Sequence, residues 1–359
     1  MKMYIGIDVH CKNTVYVCKD QDGRVMGKGK VPTSREGFVL MLEQLKAKKG
    51  TEIGLETGTQ ATWVSRMLIE LGMNPVVIDA REVRAKAVRK NQKSDLRDAL
   101  EICDGLRGGI YKSIVYVPPV EIEQLRRILS RRRHFVRICV MEINAAKYLC
   151  RGIGIRIEMA LQSSVAWKRL LQRPDVERLR GHLEMHARQW ELATGQVKQL
   201  EKDLEEALEP YDKEMQLLTG VSGIGPVTAA TFVAVVGDPK RFANSSKLAS
   251  YLGLVPSQYD TGERVRHGRI TKAGSPAMRS LLCEASHHAA RPSHFLYPYW
   301  SKMYVRKGYK RAVVAVAHRL ARILFQMWRK NEPFDLSKLN LEYHPVRREK
   351  MVIYRLKVA

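Results

Sequence analysis

The chain of 359 residues lacks any C-x-x-C pair: its six cysteines, at 11, 18, 103, 139, 150 and 283, are scattered. That spacing excludes a zinc ribbon and a disulfide framework, and predicts reduced thiols in a cytoplasmic protein. No uninterrupted apolar stretch approaches the roughly 20 residues that a bilayer span needs. The sequence opens directly into a strand pattern, with no charged-then-apolar leader. Internal repeats and low-complexity segments are missing as well.

Negative charge is scarce too. Asp and Glu total 37 against 62 Lys and Arg, a net charge of +25. The excess runs along the whole chain, so the folded surface must be positive. A polyanion is the natural partner, because neutralising phosphates releases condensed counterions. A non-enzymatic packaging protein would share this charge, but would not need carboxylates set into strands. The apolar fraction of 45% is ordinary for a globular protein, and the length allows two or three domains.

The pattern predicts strands at MYIGIDV (3–9), TVYVCKD (14–20) and GKGKVPT (27–33), joined by hairpin-like turns. A helix over 35–50, a strand TEIGLET (51–57), a helix over 59–72 and a strand NPVVIDA (74–80) follow. Three strands and then α-β-α-β is the order of an RNase H-like α/β fold. From about 118 to 215 the chain becomes long, charged and nearly free of Gly and Pro. Apolar residues at 122, 125, 128 or 129, 136 and 140 predict a helical arm of two long helices, with 151–189 as a connection of shorter helices. A compact, mainly helical segment follows 216. The expected domains are therefore 1–117, 118–215 and 216–359.

Four acids stand where such a fold could bring them together. Asp8 lies late in the first strand, Glu56 ends IGLE, and Asp95 and Asp98 are three apart at a helix start, projecting from one face. Gathered carboxylates repel unless cations neutralise them. Two hard cations about 4 Å apart, such as Mg2+, are the usual solution in phosphodiester chemistry. Taken singly, each acid could equally be a solvated loop or helix residue.

Basic runs flank these acids. REVRAKAVRKNQK carries Arg81, Arg84, Arg89, Lys90 and Lys93, and RRILSRRRHFVR puts six arginines, Arg131, Arg132 and Arg133 among them, on the first long helix. Read as runs without balancing acids, they predict contact with a nucleic-acid backbone rather than merely a solvated face. In VSGIGPVTA (221–229), Gly223 and Gly225 resemble a helix-hairpin-helix turn. They either present N–H groups to a phosphate or simply allow a tight turn between helices.

YDTGERVRHGRITKAG (259–274) sets the hydroxyl of Thr261 beside Arg264, Arg266, Arg269 and Lys272. Such donors could stabilise charge on a phosphorus attacked by the hydroxyl, although on composition alone phosphate contact is the simpler reading. His182 and His186 in HLEMH have an i,i+4 spacing but no third ligand, so metal binding there is disfavoured. His287 and His288, on an apolar-rich helix, read as packing residues or phosphate neighbours, and the five tryptophans as helix anchors.

The motifs YIGIDVH, IGLETGT, KSDLRDA, SGIGPVTA and GLVPSQYDTGERVRHGRITKAG, in this order, resemble DEDD-type insertion-sequence transposases. That family includes Piv/MooV-like invertases and bridge-RNA-guided recombinases, and the resemblance spans residues 4 to about 330. It implies a RuvC-like (RNase H fold) N-terminal domain, a coiled-coil arm and a C-terminal transposase domain. Asp8, Glu56, Asp95 and Asp98 fall on the family's metal-binding acids, and Thr261 falls where the family uses a serine that links covalently to DNA. Threonine keeps the hydroxyl but adds a methyl group; Ser257 is the alternative nucleophile. DNA, a structured noncoding guide RNA and further copies of the chain, as a dimer or tetramer, are the implied partners. A protein-only invertase or a metal-dependent junction nuclease without rejoining are the competing activities.

Overall fold

The computed structural model describes residues 2–86, 94–261 and 264–338, without the side chains of 259–261, 264–267 and 338. Arg89, Lys90 and Lys93 lie outside the described residues, as do the side chains of Thr261, Arg264 and Arg266. The chain divides between Pro119 and Val120 into two compact units.

The first unit starts with an antiparallel meander, β1 (Met3–Val9), β2 (Asn13–Asp20) and β3 (Val25–Pro32). Helix α1 (Arg35–Gln44), β4 (Glu52–Glu56), α2 (Ala61–Glu70), β5 (Asn74–Ile78), α3 (Ala80–Lys86) and α4 (Asp95–Arg107) follow. The sheet order is β3-β2-β1-β4-β5, with β1–β4 and β4–β5 parallel. Strand alternation sorts the side chains into two faces. Ile5, Ile7, Ile53 and Leu55 pack with Phe38 and Met41 of α1 and with Val64 and Leu68 of α2. The other face carries Val15 and Val17 of β2, packed with Ala99 and Cys103 of α4. Ser94 caps α4, its hydroxyl accepting from the Arg97 N–H.

In the second unit α5 (Val120–Gly152) and α7 (Arg180–Leu208) run antiparallel, with α6 (Ser164–Leu171) between them in the chain. Three cross-links in opposite sequence order show this: Arg132 with Glu201, Cys139 with Thr194, and Glu142 with His186. α7 begins ten residues before the position expected for the second long helix, because Leu183 and Trp190 pack onto Ala146 and Cys150. Ile122, Leu125 and Ile128 are buried as their spacing predicts, but Val140 is half-exposed: farther along, α5 has only one stripe covered by its neighbour.

The base of this helix pair joins a larger core. α8 (Asp212–Thr219), α9 (Pro226–Val236), α10 (Ser245–Tyr251), a hairpin of β6 (Pro256–Thr261) and β7 (Arg264–Ile270), α11 (Pro276–His287), α12 (Tyr297–Lys307) and α13 (Tyr309–Lys330) follow. Leu125, Leu204, Phe232, Leu282, Leu320 and Phe325 share one buried cluster, so the expected arm is continuous with the C-terminal core at its base. All six cysteines are free. Trp167, Trp190 and Trp300 are buried anchors, whereas Trp63 is half-exposed, against expectation. Among the described residues no helix is long and apolar enough to cross a membrane.

Candidate active site

Ile7 of β1 stands beside Leu55 of parallel β4, so the next residues are Asp8, one before the end of β1, and Glu56, the last of β4. Both share the face of Gly6 and Gly54, two residues earlier. That face receives α4. A Cβ on Gly6 would lie 2.2 Å from the Ala99 carbonyl oxygen, and one on Gly54 would lie 2.9 Å from an Ile102 methyl. Only glycine at position 6 lets the helix backbone come so close, and Asp95 and Asp98 occupy the first turn of that helix.

Asp8 is buried, at 6% exposure. His10 Nε2 lies 3.1 Å from Asp8 Oδ2 and 3.4 Å from Asp95 Oδ1, bridging the two carboxylates. One donor atom from each of Asp8, His10 and Asp95 falls within 4.8 Å of the others. Burial pushes the Asp8 carboxyl above its ordinary range; His10 opposes this, and the charges of Asp98 and Asp95 add to it. The structure thus brings Asp8 and Asp95 together through His10, sets Asp98 within electrostatic reach, and leaves Glu56 on the adjoining strand end. His10 was missed in the sequence, though its signal was legible there: it stands two residues beyond Asp8, the spacing that keeps an extended chain on one side. A buried carboxylate facing further acids, with an imidazole beside them, is a donor set suited to a divalent cation.

The basic residues divide by their partners. Arg81 and Arg84 of α3 are exposed. Their run is not free of acid, as had been expected. Glu82 lies inside it, accepts from Lys86 Nζ at 2.5 Å and from the Lys112 and Ser113 N–H groups, and is held down at about 2 by these donors. On α5, Arg131 and Arg133 are exposed, whereas Arg132 donates through Nε and Nη2 to one oxygen of Glu201, at 3.0 and 2.6 Å. Arg132 is thereby committed to holding α5 against α7.

Gly225 precedes α9, with Pro226 in its first turn, and Gly223 has φ +88°. Both glycines line a cavity of about 930 Å³ with Arg133, Arg137, Ser275 and His288. A Cβ on Gly223 would meet the Ala285 carbonyl at 3.3 Å, so the turn is also tight for packing reasons. The i,i+4 histidines are separated in role, His186 Nδ1 being 2.6 Å from Glu142 Oε2. His287 Nδ1 is hydrogen-bonded to the Tyr309 hydroxyl.

In the hairpin Thr261 pairs with Arg264 at the end of the ladder. Ser257 is already engaged, its hydroxyl donating to the Arg269 carbonyl at 3.1 Å. Arg269 and Lys272 are exposed, the latter at φ +55°. The hairpin's base is fixed by close backbone approach: a Cβ on Gly274 would lie 2.0 Å from the Tyr251 carbonyl. Arg279, which no sequence signal singled out, donates through Nη1 to the Leu252 and Gly274 carbonyls at 3.1 and 2.6 Å.

Comparison with known proteins gives this arrangement its setting. Residues 5–153 match the DEDD family model of the IS110 type, described as Transposase. Residues 215–302 match the family described as Transposase IS116/IS110/IS902 family. A protein named "Probable family 20 transposase" from Pseudomonas aeruginosa is 30% identical over 67% of this chain and 71% of its own length. The transposase for insertion sequence element IS1328 of Yersinia enterocolitica is 27% identical over 79% of this chain and 82% of its own. That for IS1111A of Coxiella burnetii is 24% identical over 92% of this chain and 90% of its own. Across the long matches, the chain spans from 66% to 96% of the relative's length. With both family models matched in order and a relative 30% identical over 67% of this chain, the chain belongs to the DEDD-type IS110/IS116 family of insertion-sequence transposases.

Proposed function

We propose that this transposase cleaves and rejoins the DNA strands of a mobile element, using Asp8, Glu56, Asp95 and Asp98 to hold two Mg2+ ions and Thr261 as nucleophile. The observation that carries this reading is the buried Asp8 carboxylate beside Asp95 and His10 at the end of β1. When bound, such ions favour attack on a phosphodiester and stabilise the leaving oxygen. The Thr261 oxygen forms the new bond to phosphorus as its proton passes to solvent, while the bond from phosphorus to a sugar oxygen breaks and that oxygen takes up a proton to leave as a hydroxyl. Attack by a second DNA hydroxyl on the same phosphorus frees Thr261 and joins the strands.

Arg264, Arg266, Arg269 and Lys272 stabilise the phosphate charge during these exchanges. Arg81, Arg84, Arg89, Lys90, Lys93, Arg131 and Arg133, with the turn at Gly223 and Gly225, grip nucleic-acid backbone. Arg132 supports them through Glu201. Backbone contacts carry no sequence information, so target choice is assigned to base pairing with a structured noncoding RNA. The working particle is a dimer or tetramer in the bacterial cytoplasm, associated with the nucleoid. A RuvC-like domain extends to 117, a coiled-coil arm covers 118–215 and a transposase domain begins at 216.

The test is amplification across joined element ends in cells carrying the gene within its native flanks. Junctions with the wild type, and none with Thr261→Ala or Asp95→Ala, support the reading. Broken ends without junctions would make the protein a junction nuclease. Junctions that persist with Thr261→Ala remove the nucleophile assignment.

A further inference from the structure

His10 is the residue of the strand-end cluster that a four-acid account leaves without a task. Its backbone is anchored on both sides. The His10 N–H donates to the Asn13 carbonyl at 3.1 Å, closing the turn between β1 and β2. The Thr33 hydroxyl donates to the His10 carbonyl at 2.8 Å. Since that hydroxyl has one proton, the 2.9 Å contact between Thr33 and the buried Thr14 must be Thr14 donating to Thr33. A short relay, Thr14 to Thr33 to His10, therefore fixes the turn from β2 and the chain just beyond β3. The imidazole it presents is half-exposed and directed between two carboxylates that belong to different elements.

The spacing of these atoms has a chemical meaning. An octahedral ion with bonds of about 2.2 Å places adjacent donors about 3.1 Å apart. Nε2 lies 3.1 Å from Asp8 Oδ2 and 3.4 Å from Asp95 Oδ1, close to that edge length. A hydrogen bond to Asp8 accounts for the shorter distance and charge attraction to Asp95 for the longer, whereas one shared ion accounts for both at once. We infer that His10 Nε2 is a direct ligand to a divalent ion shared with Asp8 and Asp95, making this a mixed nitrogen and oxygen site that favours Mn2+ over Mg2+. The inference rests on the proposal that the strand-end acids bind metal. It goes further in assigning a nitrogen donor outside the four acids, and with it the metal preference: Mg2+ keeps to oxygen donors and water, while imidazole favours transition ions.

The experiment uses the full chain with one equivalent of Mn2+ and reads pulsed electron paramagnetic resonance, which detects nitrogen bound to manganese independently of catalysis. The wild type should show 14N modulation that changes to the 15N pattern on 15N-histidine labelling. In His10→Asn the nitrogen signal should vanish while Mn2+ still binds, with affinity reduced about tenfold and with a smaller Mn2+-over-Mg2+ preference. Asp8→Asn should abolish stoichiometric binding at this site. Mn2+ bound by the wild type without nitrogen modulation overturns the His10 assignment and leaves the acid site standing. No stoichiometric binding by the wild type overturns both. Nitrogen modulation that survives in His10→Asn assigns the ligand to another histidine and likewise overturns the inference.

Discussion

Gly6 of β1 lies directly beneath the Ala99 carbonyl of α4, so close that a Cβ at position 6 would be 2.2 Å from that oxygen and 2.4 Å from the Cys103 nitrogen. These are backbone atoms that cannot rotate away. The contact seats the helix carrying Asp95 and Asp98 on the strand carrying Asp8, so the glycine sets the position of the acids without touching chemistry.

Gly6→Ala should therefore push α4 off the sheet, costing about 1–3 kcal/mol or more. Metal affinity should fall along with stability. Chemical denaturation and Mn2+ titration of the same variant check both; an unchanged midpoint would show that the helix can shift without cost.

Asp8→Asn removes a charge from a buried site where other carboxylates already oppose ionisation. In chelator at neutral pH it should raise the melting temperature, by about 2–4 °C, and with metal supplied it should abolish strand cleavage. In saturating Mn2+ the order should reverse, because only the wild type gains from binding. Thermal melts in both conditions decide it.

Glu82 is held at about 2 by Lys86 and by the Lys112 and Ser113 N–H groups, below the ordinary carboxylate range. A depressed folded pKa means stability that is present above the unfolded value near 4.5 and lost as pH falls toward 2. Glu82→Gln should thus melt below the wild type at pH 7, and the gap should close between pH 4.5 and about 2. A gap that is constant with pH would show that the hydrogen bonds act without the charge.

Arg132 and its neighbours should separate in kind. Arg132→Ala, which breaks the bonds to Glu201, should lower stability. Arg133→Ala should leave the melt unchanged but weaken DNA or RNA binding, reducing the slope of log K against log salt by about 0.9 if one phosphate contact is lost. Binding at several salt concentrations, beside a melt, tests the distinction.

The two hydroxyls of the hairpin should behave differently in the junction assay. Ser257 is spent on the Arg269 carbonyl, so Ser257→Ala should retain junction formation. Thr261→Ser should retain or increase it, since removing the methyl group relieves crowding at phosphorus. Loss of junctions with Ser257→Ala and not with Thr261→Ala would transfer the nucleophile role to Ser257.

The sequence by itself determined the strand and helix order of the first unit as far as β5, though not α3, and placed Asp8 and Glu56 near the ends of their strands. Alternation and turn signals are local, and MYIGIDV or NPVVI reads as strand from its own residues. It also determined the positive surface, which needs only a count of charges. What it could not determine were relations between distant segments. That Gly6 meets Ala99, that His10 bridges Asp8 and Asp95, and that Arg132 is claimed by Glu201 depend on pairings across 93, 85 and 69 positions. Val140 and the early start of α7 were misread for the same reason: whether an apolar residue is covered depends on which helix lies beside it. Periodicity reports that a face is apolar, and only the tertiary structure decides what that face meets.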